Sequence, residues 1–408
     1  MITTLHAPDL HAPDPLTGGP YDTVSAYSQE VLASLPRSDQ RRWGEVYLRG
    51  LLHTRGRKTP GTMTQEVLGR RSVQSIQQFI NQSTWPPEEI RRCLAERLSG
   101  VAAPQAWAFD DVVFPKNGTR SVGVARQFVP ADGRVVNCQI GLAASLVHPA
   151  GTLPVNWRLL LPRRWEADPE LREKAHVPAG EHHRPRWQHL LESIDEMLAG
   201  WNVPVAPVLA DCRSDREVEP LIAGLEQRRL SYLLQIGADT PLPGRPLAVR
   251  STTPVRAGAR DIARCLPPQA ERAVLPWRSE PAGRSRPSQF AAVPLASPVP
   301  PGPGPRPAGL PRRYLVVEWP FGHEEPRNYW VTNLPVRRLP DIVALAELRH
   351  RSLEACRLLH QDYGLGDFEG RSFRGWHHHV TLVSAACGYH VLRDLGADGA
   401  AIPLDGTG

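Results

Sequence analysis

Apolar residues recur at every third or fourth position from Tyr27 to about Leu98, and this spacing predicts amphipathic helices. The run is interrupted at Pro60, where a turn is expected. Pro87 is followed by two acidic residues, a pattern that is typical of the first turn of a helix. We therefore expect an all-helical module over residues 25–104.

After Trp107 the pattern changes to short apolar runs rich in Val and Ile, which predicts β-strands. Residues 184–200 have helical spacing again and end at Gly200. Two further apolar runs, VPVAPVLAD and SYLLQI, flank another helical segment. Because alternating strands and helices favour a sheet covered by helices, we expect residues 105–240 to form an α/β domain with a mixed sheet.

Residues 241–335 contain strand-like runs around a proline-rich segment at 281–311, which we predict to be an extended loop within a β-rich insertion. Helical spacing returns over residues 336–395, which we assign to the C-terminal helices of the α/β domain. Residues 1–24 and 396–408 lack periodicity, and we predict that both segments are disordered.

The formal net charge of +6 and the pI of about 9.2 make nucleic acid a plausible partner. Nearly all of the positive charge comes from arginine, since lysine occurs only at Lys58, Lys116 and Lys174. Arginine binds phosphate with two parallel hydrogen bonds, which favours the nucleic-acid interpretation. A GC-rich genome would also enrich arginine, so charge alone leaves both explanations open.

The six cysteines are widely scattered without a CxxC pair, which argues against a zinc ribbon and against a disulfide framework. The chain has no run of 18 apolar residues, so no membrane-spanning helix is expected. The N-terminus lacks a basic segment followed by an apolar one, so we predict no signal peptide and a cytoplasmic location.

Acidic residues follow two of the apolar runs. Asp110 and Asp111 come after AWAF, and Asp211 comes after VPVAPVLA. Carboxylates at adjacent strand ends would share Mg²⁺ or Mn²⁺, and two such ions about 3.5–4 Å apart would promote phosphodiester cleavage. The alternative is that these aspartates only cap the turns and helices that follow them.

Several long runs of the sequence, in order, resemble the DDE superfamily endonucleases that insertion sequences encode. The matching runs are DDVVFPKNGTRSVGVARQF from Asp110, NCQIGL from Asn137, PVNWRLLLPRRWEADPELREKAHVP from Pro154, VLAD ending at Asp211, EWP from Glu318, NYWVTNLP from Asn328 and FEGRSFRGWHHHVTLV from Phe368. With a further matching run in the helical module, YLRGLL at Tyr47–Leu52, they span roughly residues 40–390. The resemblance implies an RNase H-like catalytic domain, two bound metal ions and DNA transposition.

On this resemblance the first catalytic aspartate is Asp110, with Asp111 beside it as the alternative and as a further metal ligand, and the second is Asp211. The family's third acid is a glutamate within an Arg-aromatic-Arg-aliphatic-Glu run on the long helix. The corresponding run here begins at Arg349 and places Leu353 where the glutamate belongs. Glu354, one residue later, replaces it only if the register shifts.

Helical spacing argues against that shift. A stripe on this helix should face the core, and it consists of Leu345, Leu348, Ser352, Ala355 and Leu359. Glu354 lies roughly 180° from Leu345, on the outer face. Three hypotheses follow, of which the third, a repurposed fold that performs other chemistry in the same cleft, has no positive sign in the sequence. An active transposase would use Asp110, Asp211 and a shifted Glu354. A degenerate, domesticated derivative would bind DNA as a regulator, and its second metal ion would lack ligands.

The helical module is the expected DNA reader, acting on double-stranded DNA as a homodimer in the nucleoid. Gln77, Gln78 and Asn81 lie on one predicted helix, and amide side chains pair with adenine in the major groove. Arg70 and Arg71 precede that helix and would contact phosphates. The alternative is that these amide side chains form only a solvated polar face of the helix and do not contact DNA. The family runs supply four further candidates for DNA contact, namely Lys116, Arg126, Arg349 and Arg351.

Three consecutive histidines, His377 to His379, invite a zinc interpretation. Adjacent residues on a helix point in different directions, so the three rings cannot reach one ion together. We predict instead that these histidines pack in the protein core or contact phosphate.

Overall fold

A computed structural model describes residues 23–148, 151–243, 256–266, 272–279, 283–295 and 312–400. The chain divides into two units. The first contains Met1–Ala103, Asp111–Pro204 and Ala355–Gly408, and the second contains Pro104–Asp110 and Val205–Glu354.

The helices of the described residues, in chain order, are α1 Val24–Val31, α2 Ser38–His53, α3 Pro60–Leu68, α4 Val73–Gln82, α5 Pro87–Val101, α6 Arg164–Ala167, α7 Pro169–Lys174, α8 Arg186–Gly200, α9 Glu219–Gln227, α10 Ala259–Arg264, α11 Leu339–Gln361 and α12 Phe373–Ala400. The strands are β1 Ala106–Pro115, β2 Ala125–Val129, β3 Arg134–Val147, β4 Thr152–Leu160, β5 Val208–Cys212, β6 Tyr232–Ile236, β7 Pro241–Pro243, β8 Arg256–Gly258, β9 Ala273–Trp277, β10 Arg286–Pro294, β11 Tyr314–Pro320 and β12 Asn328–Thr332.

The N-terminal part of the first unit is helical, from α1 to α5. Local signals set the helix ends. Thr23 caps α1 through its side chain, and Thr59 caps α3, which has Pro60 in its first turn. Helix α5 begins at Pro87 with two glutamates in its first turn, as the sequence predicts. Helix α12 packs against α2, α4 and α5, so the apolar C-terminal helix completes the core of this helical region.

The rest of the first unit contains an antiparallel arrangement in which β3 pairs with β2 and with β4. Helices α8 and α12 both pack on β4. Trp376 of α12 meets Trp157 of β4 edge to face at 6.4 Å and Phe114 at 5.6 Å. Gly141 of β3 lies against Trp376, where a Cβ atom would come within 2.9 Å of the ring. A side chain at this glycine would therefore displace the indole from the core.

The second unit is built on a mixed sheet whose strand order is β1-β5-β6-β12-β11-β10-β9. The strands β1, β5 and β6 run parallel, and β12, β11, β10 and β9 continue the sheet with antiparallel pairing. Four of the five residues of β5, all but Asp211, are buried, which explains the apolar character of the strand. Strands β7 and β8 form a separate two-stranded sheet.

Two predictions from composition need correction. The segment 281–311 is not a loop throughout, because β10 runs through residues 286–294 and pairs with both β9 and β11. Phe290 and Ala291 are buried there, and burial of these apolar residues stabilises the strand despite the prolines near its ends. The predicted disordered tail is helical as far as Ala400. Residues 296–311 and 401–408 lie outside the described residues, as does the predicted arm as far as residue 22.

The predicted fold class is confirmed. The protein is a mixed α/β protein with an N-terminal helical region, consistent with an RNase H-like fold. In the part of the chain that the structure describes, none of the helices has the length and apolar character needed to cross a lipid bilayer.

Candidate active site

Asp110 and Asp211 occupy neighbouring positions on two parallel strands of the second unit, and we call them the aspartate pair. The pairing of β1 with β5 joins Phe109 to Ala210, and each aspartate is the next residue along its strand. Asp110 is 1% exposed, whereas the Asp211 side chain is 21% exposed. Strand β1 continues to Pro115, so Asp110 lies within a strand and not at its end.

A single guanidinium group lies against both carboxylates. Arg349 of α11 places its Nη2 3.0 Å from Oδ1 of Asp110 and 3.2 Å from Oδ2 of Asp211. Its side chain is only 14% exposed, so water screens these ion pairs weakly. Ser352, one helical turn further on, donates its hydroxyl to Oδ2 of Asp110 at 2.5 Å. One face of α11 therefore presents a cation and a hydroxyl to Asp110.

Asp211 has a second cationic partner, which sequence reasoning missed. Arg213 donates its backbone N–H and Nε to Oδ1 of Asp211 at 3.0 Å each, and its Nη2 to Oδ2 at 2.6 Å. Burial alone would raise the pKa of Asp211, but the guanidinium groups of Arg213 and Arg349 outweigh it and lower that pKa below its ordinary value. The carboxylate is therefore ionised, and its charge is neutralised from within the protein.

The residues predicted for the third acid do not add a carboxylate to this pair. Leu353, which the sequence resemblance predicts at the third-acid position, lines a pocket beside Arg349. Glu354 is half-buried and lies two residues beyond Ser352, roughly 200° around the helix from the residue that contacts Asp110. Within the described residues, no group of three or more His, Cys, Asp or Glu side chains could hold a metal ion.

The donor set of this arrangement does not suit two divalent ions. Such ions need several carboxylate oxygens. Here Asp110 faces Arg349 and Ser352, and Asp211 faces Arg213 and Arg349. Two carboxylates and two guanidinium groups also leave the cluster without net negative charge. A metal ion shared by the two aspartates would compete with Arg349, whose Nη2 contacts both of them.

Asp111 is separated from the pair by the alternation of the strand. Successive residues of a β-strand point to opposite faces, and Asp111 is exposed where Asp110 is buried. Its Oδ1 accepts a hydrogen bond from Nε of Arg186 at 2.7 Å. The structure therefore does not bring Asp111 together with Asp110 and Asp211.

A pocket of about 270 Å³ lies beside the aspartate pair in the second unit. Arginine, amide and aromatic side chains dominate its wall, which is formed by Leu209, Ala210, Arg213, Leu233, Gln235, Trp277, Ser279, Arg327, Asn328, Trp330, Ala346, Arg349, His350 and Leu353. No pattern in the sequence indicated that Trp277 or Ser279 would lie here. Trp277 ends β9 and Ser279 follows it, far along the chain from both aspartates.

The predicted DNA-reading segment is a pair of helices joined by a short turn. Helix α3 ends at Leu68, Gly69 has a left-handed φ of 65°, and α4 starts at Val73. Both helices pack on α2. Two helices joined by a turn of about four residues that contains glycine are typical of helix-turn-helix DNA-binding units.

The side chains of this pair of helices differ in accessibility. Arg70 and Arg71 of the turn and Gln77 and Gln78 of α4 are exposed. Asn81 is half-buried. Its amide nitrogen donates to the Gln77 carbonyl at 3.2 Å, and its amide oxygen accepts from the hydroxyl of Ser372, just before α12, at 3.4 Å. Four candidates therefore remain accessible on this surface, and Asn81 is used inside the protein.

The other candidates for DNA contact are scattered. Arg126 and Arg351 are exposed. Lys116 donates from Nζ to the Phe368 carbonyl at 2.9 Å, and burial lowers its pKa. Arg349 is only 14% exposed and forms ion pairs with both members of the aspartate pair.

The three consecutive histidines of α12 have separate structural partners. Nδ1 of His377 lies 3.0 Å from Nη2 of Arg91, and the ring nitrogens of His378 lie 2.9 Å from two backbone carbonyls. Nδ1 of His379 lies 2.8 Å from the Tyr47 hydroxyl. All three rings are buried, and burial lowers the pKa of each. Their polar atoms hold α12 in the core.

Comparison with known proteins identifies a family. The profile of the family described as DDE superfamily endonuclease matches residues 30–274, which is more than half of the 408 residues. No curated protein sequence matches the chain.

Proposed function

This chain belongs to the DDE superfamily endonuclease family, and we propose that it is a transposase-like DNA-binding protein that has lost strand cleavage. Family membership implies a DNA substrate. The observation that supports loss of cleavage is the position of Arg349, whose Nη2 lies within 3.2 Å of both Asp110 and Asp211.

A guanidinium group neutralises two carboxylates without providing what a metal ion provides. It remains protonated at all physiological pH values, and it offers only hydrogen-bond donors. When divalent ions bind in enzymes of this class, they activate the attacking water and stabilise the leaving oxygen. Arg349 holds Asp110 and Asp211 in an ion-paired state instead, and Leu353 contributes no ligand oxygen.

DNA binding is proposed for the α3–α4 pair. The turn carries Arg70 and Arg71, which suit phosphate contacts, and α4 exposes Gln77 and Gln78, which suit base edges in the major groove. Binding as a homodimer and residence in the nucleoid remain predictions from the sequence.

The second candidate is metal-dependent strand cleavage and transfer at insertion-sequence ends. It is favoured by the strand register, because Asp110 and Asp211 follow directly paired residues of β1 and β5. This function would require Arg349 to leave the pair and another ligand, such as Glu354, to turn inward.

A supercoiled-plasmid assay with Mn²⁺ separates the two functions. We expect no nicking by the native protein, and a gain of nicking when Leu353→Glu is combined with Arg349→Met. Adding Asp211→Asn to that double variant is the control and should abolish the gain. Mn²⁺-dependent nicking by the native protein that disappears in Asp211→Asn would establish the second candidate instead.

A further inference from the structure

The pocket beside the aspartate pair is rich in hydrogen-bond donors. We call it the arginine pocket and define it by Arg213, Arg327, Arg349, Trp277 and Asn328, all of which line it. Among the described residues that form its wall there is no aspartate or glutamate. Its polar side chains are therefore arginine, amide, indole, hydroxyl and imidazole groups.

Two donors of this wall are buried and have no acceptor among the described residues. They are Nε of Arg349 and Nε1 of Trp277. Both atoms can only donate, and a buried donor without an acceptor is destabilising. Trp277 is 4% exposed and is enclosed by Trp330 at 5.3 Å and Phe290 at 5.8 Å. The indole is thus fixed in place by its apolar neighbours and not by a polar partner.

The arginines also have donors beyond those that the aspartates use. A guanidinium group carries five N–H donors. Arg213 contacts Asp211 through Nε and Nη2, and Arg349 uses Nη2 for the aspartates and Nη1 for Gln235. Arg327 is exposed at the pocket and has no ion pair with a described residue. An excess of cationic donors over acceptors suits a ligand that only accepts hydrogen bonds.

We propose that the arginine pocket binds a phosphate monoester group. A tetrahedral dianion offers several acceptor oxygens, and arginine recognises phosphate with two parallel hydrogen bonds. The volume of about 270 Å³ lies just below the range of about 300–1,000 Å³ that is typical of small-molecule sites, so a phosphate with a small attached group fits and a duplex does not.

Arg349 links this pocket to the aspartate pair. The same guanidinium lines the pocket and neutralises Asp110 and Asp211. A bound phosphate therefore competes with both carboxylates for Arg349, and the coupling is reciprocal by thermodynamic linkage. Neutralising a carboxylate must raise the phosphate affinity. This inference goes beyond the proposed function and does not depend on whether DNA is cleaved.

Isothermal titration with inorganic phosphate tests the site. We expect saturable one-to-one binding to the native protein. Arg327→Gln should weaken it by at least about tenfold, the effect of removing one charge-assisted hydrogen bond. Arg264→Gln is the matched control, since Arg264 is an exposed arginine of the same unit that does not line the pocket, and it should leave the affinity unchanged. Absence of binding, or equal weakening by both variants, would overturn the proposal.

Asp211→Asn tests the coupling in the opposite direction. The variant removes the counter-charge of Arg213 and Arg349, so phosphate should bind about tenfold tighter. A short single strand with a 5′-phosphate, compared with inorganic phosphate, distinguishes a DNA end from a free ester as the source, and the same strand without the phosphate is the control for binding through the rest of the strand. Preference for the phosphorylated strand over inorganic phosphate indicates a DNA end, and equal affinities indicate a free ester. Unchanged or weaker phosphate binding in Asp211→Asn would contradict the coupling, whereas the plasmid assay alone decides the proposed function.

Discussion

Ser352 donates a hydrogen bond to Asp110 across the second unit, with 2.5 Å between Oγ and Oδ2. Both residues are buried, since Ser352 is 0% exposed and Asp110 is 1% exposed. A buried carboxylate is stable in its charged form only when donors surround it. Together with Arg349, the serine supplies that environment and ties α11 to β1.

Removing this hydroxyl should destabilise the protein. We expect Ser352→Ala to lower the free energy of unfolding by about 1–3 kcal/mol, because Asp110 is deprived of a buried donor. Urea denaturation measures the change. Ser214→Ala serves as the control, since Ser214 is exposed, and it should have little effect. Equal stability of the two variants would show that the Ser352 hydrogen bond contributes nothing.

Stability should depend on pH through His379. Its Nδ1 accepts from the Tyr47 hydroxyl, its Nε2 lies 3.1 Å from the Leu365 carbonyl, and burial lowers its pKa to about 4. Because this pKa lies below the unfolded value of 6.5, the unfolded chain binds the proton first. The free energy of unfolding is therefore greatest above pH 6.5 and falls as the pH drops toward 4, by about 3 kcal/mol for this ring.

Two histidine variants check this origin of the acid sensitivity. His379→Gln keeps a polar side chain that does not titrate, so the decrease in stability between pH 7 and pH 5 should become smaller than in the native protein. His323→Gln is the matched control at an exposed position and should leave the pH dependence as it is. An unchanged slope in His379→Gln would rule out His379 as its source.

DNA binding should depend on the turn between α3 and α4. Replacing Arg70 and Arg71 with alanine should weaken binding and reduce the slope of log affinity against log salt by about 0.9 for each phosphate group that is no longer bound. Fluorescence anisotropy over a salt series measures both. Alanine at Arg337 and Arg338, which are exposed in the second unit, makes the same charge change elsewhere. If both double variants behave alike, only net charge matters and the placement is wrong.

Much of the architecture could be predicted from periodicity. The stripe predicted on α11 is correct for Ser352 and Ala355, which are buried, whereas Leu345 and Leu348 of the same stripe are only half-buried. Apolar runs before Asp110 and Asp211 predicted two neighbouring strands. Strand β10 was not predicted, because the many prolines of the segment indicated a loop and its apolar run is short.

The polar partners of the site could not be predicted in the same way. Arg349 is far from both aspartates along the chain, and no local pattern indicates which side chain fills the space between two carboxylates. Arg213 lies only two residues from Asp211, but its orientation depends on the turn that follows β5. Periodicity indicates which face is buried, and only the packed structure shows which charges meet there.

The most direct measurement is a calorimetric titration of the native protein and Arg349→Met with Mn²⁺. If Arg349 is the resident cation of the aspartate pair, the native protein should bind Mn²⁺ weakly. The variant should bind it at least about tenfold more tightly, because Asp110 and Asp211 no longer have that counter-charge. Asp211→Asn added to Arg349→Met should remove the gain. Tight binding of two Mn²⁺ ions by the native protein, unchanged in Arg349→Met, would contradict the assignment.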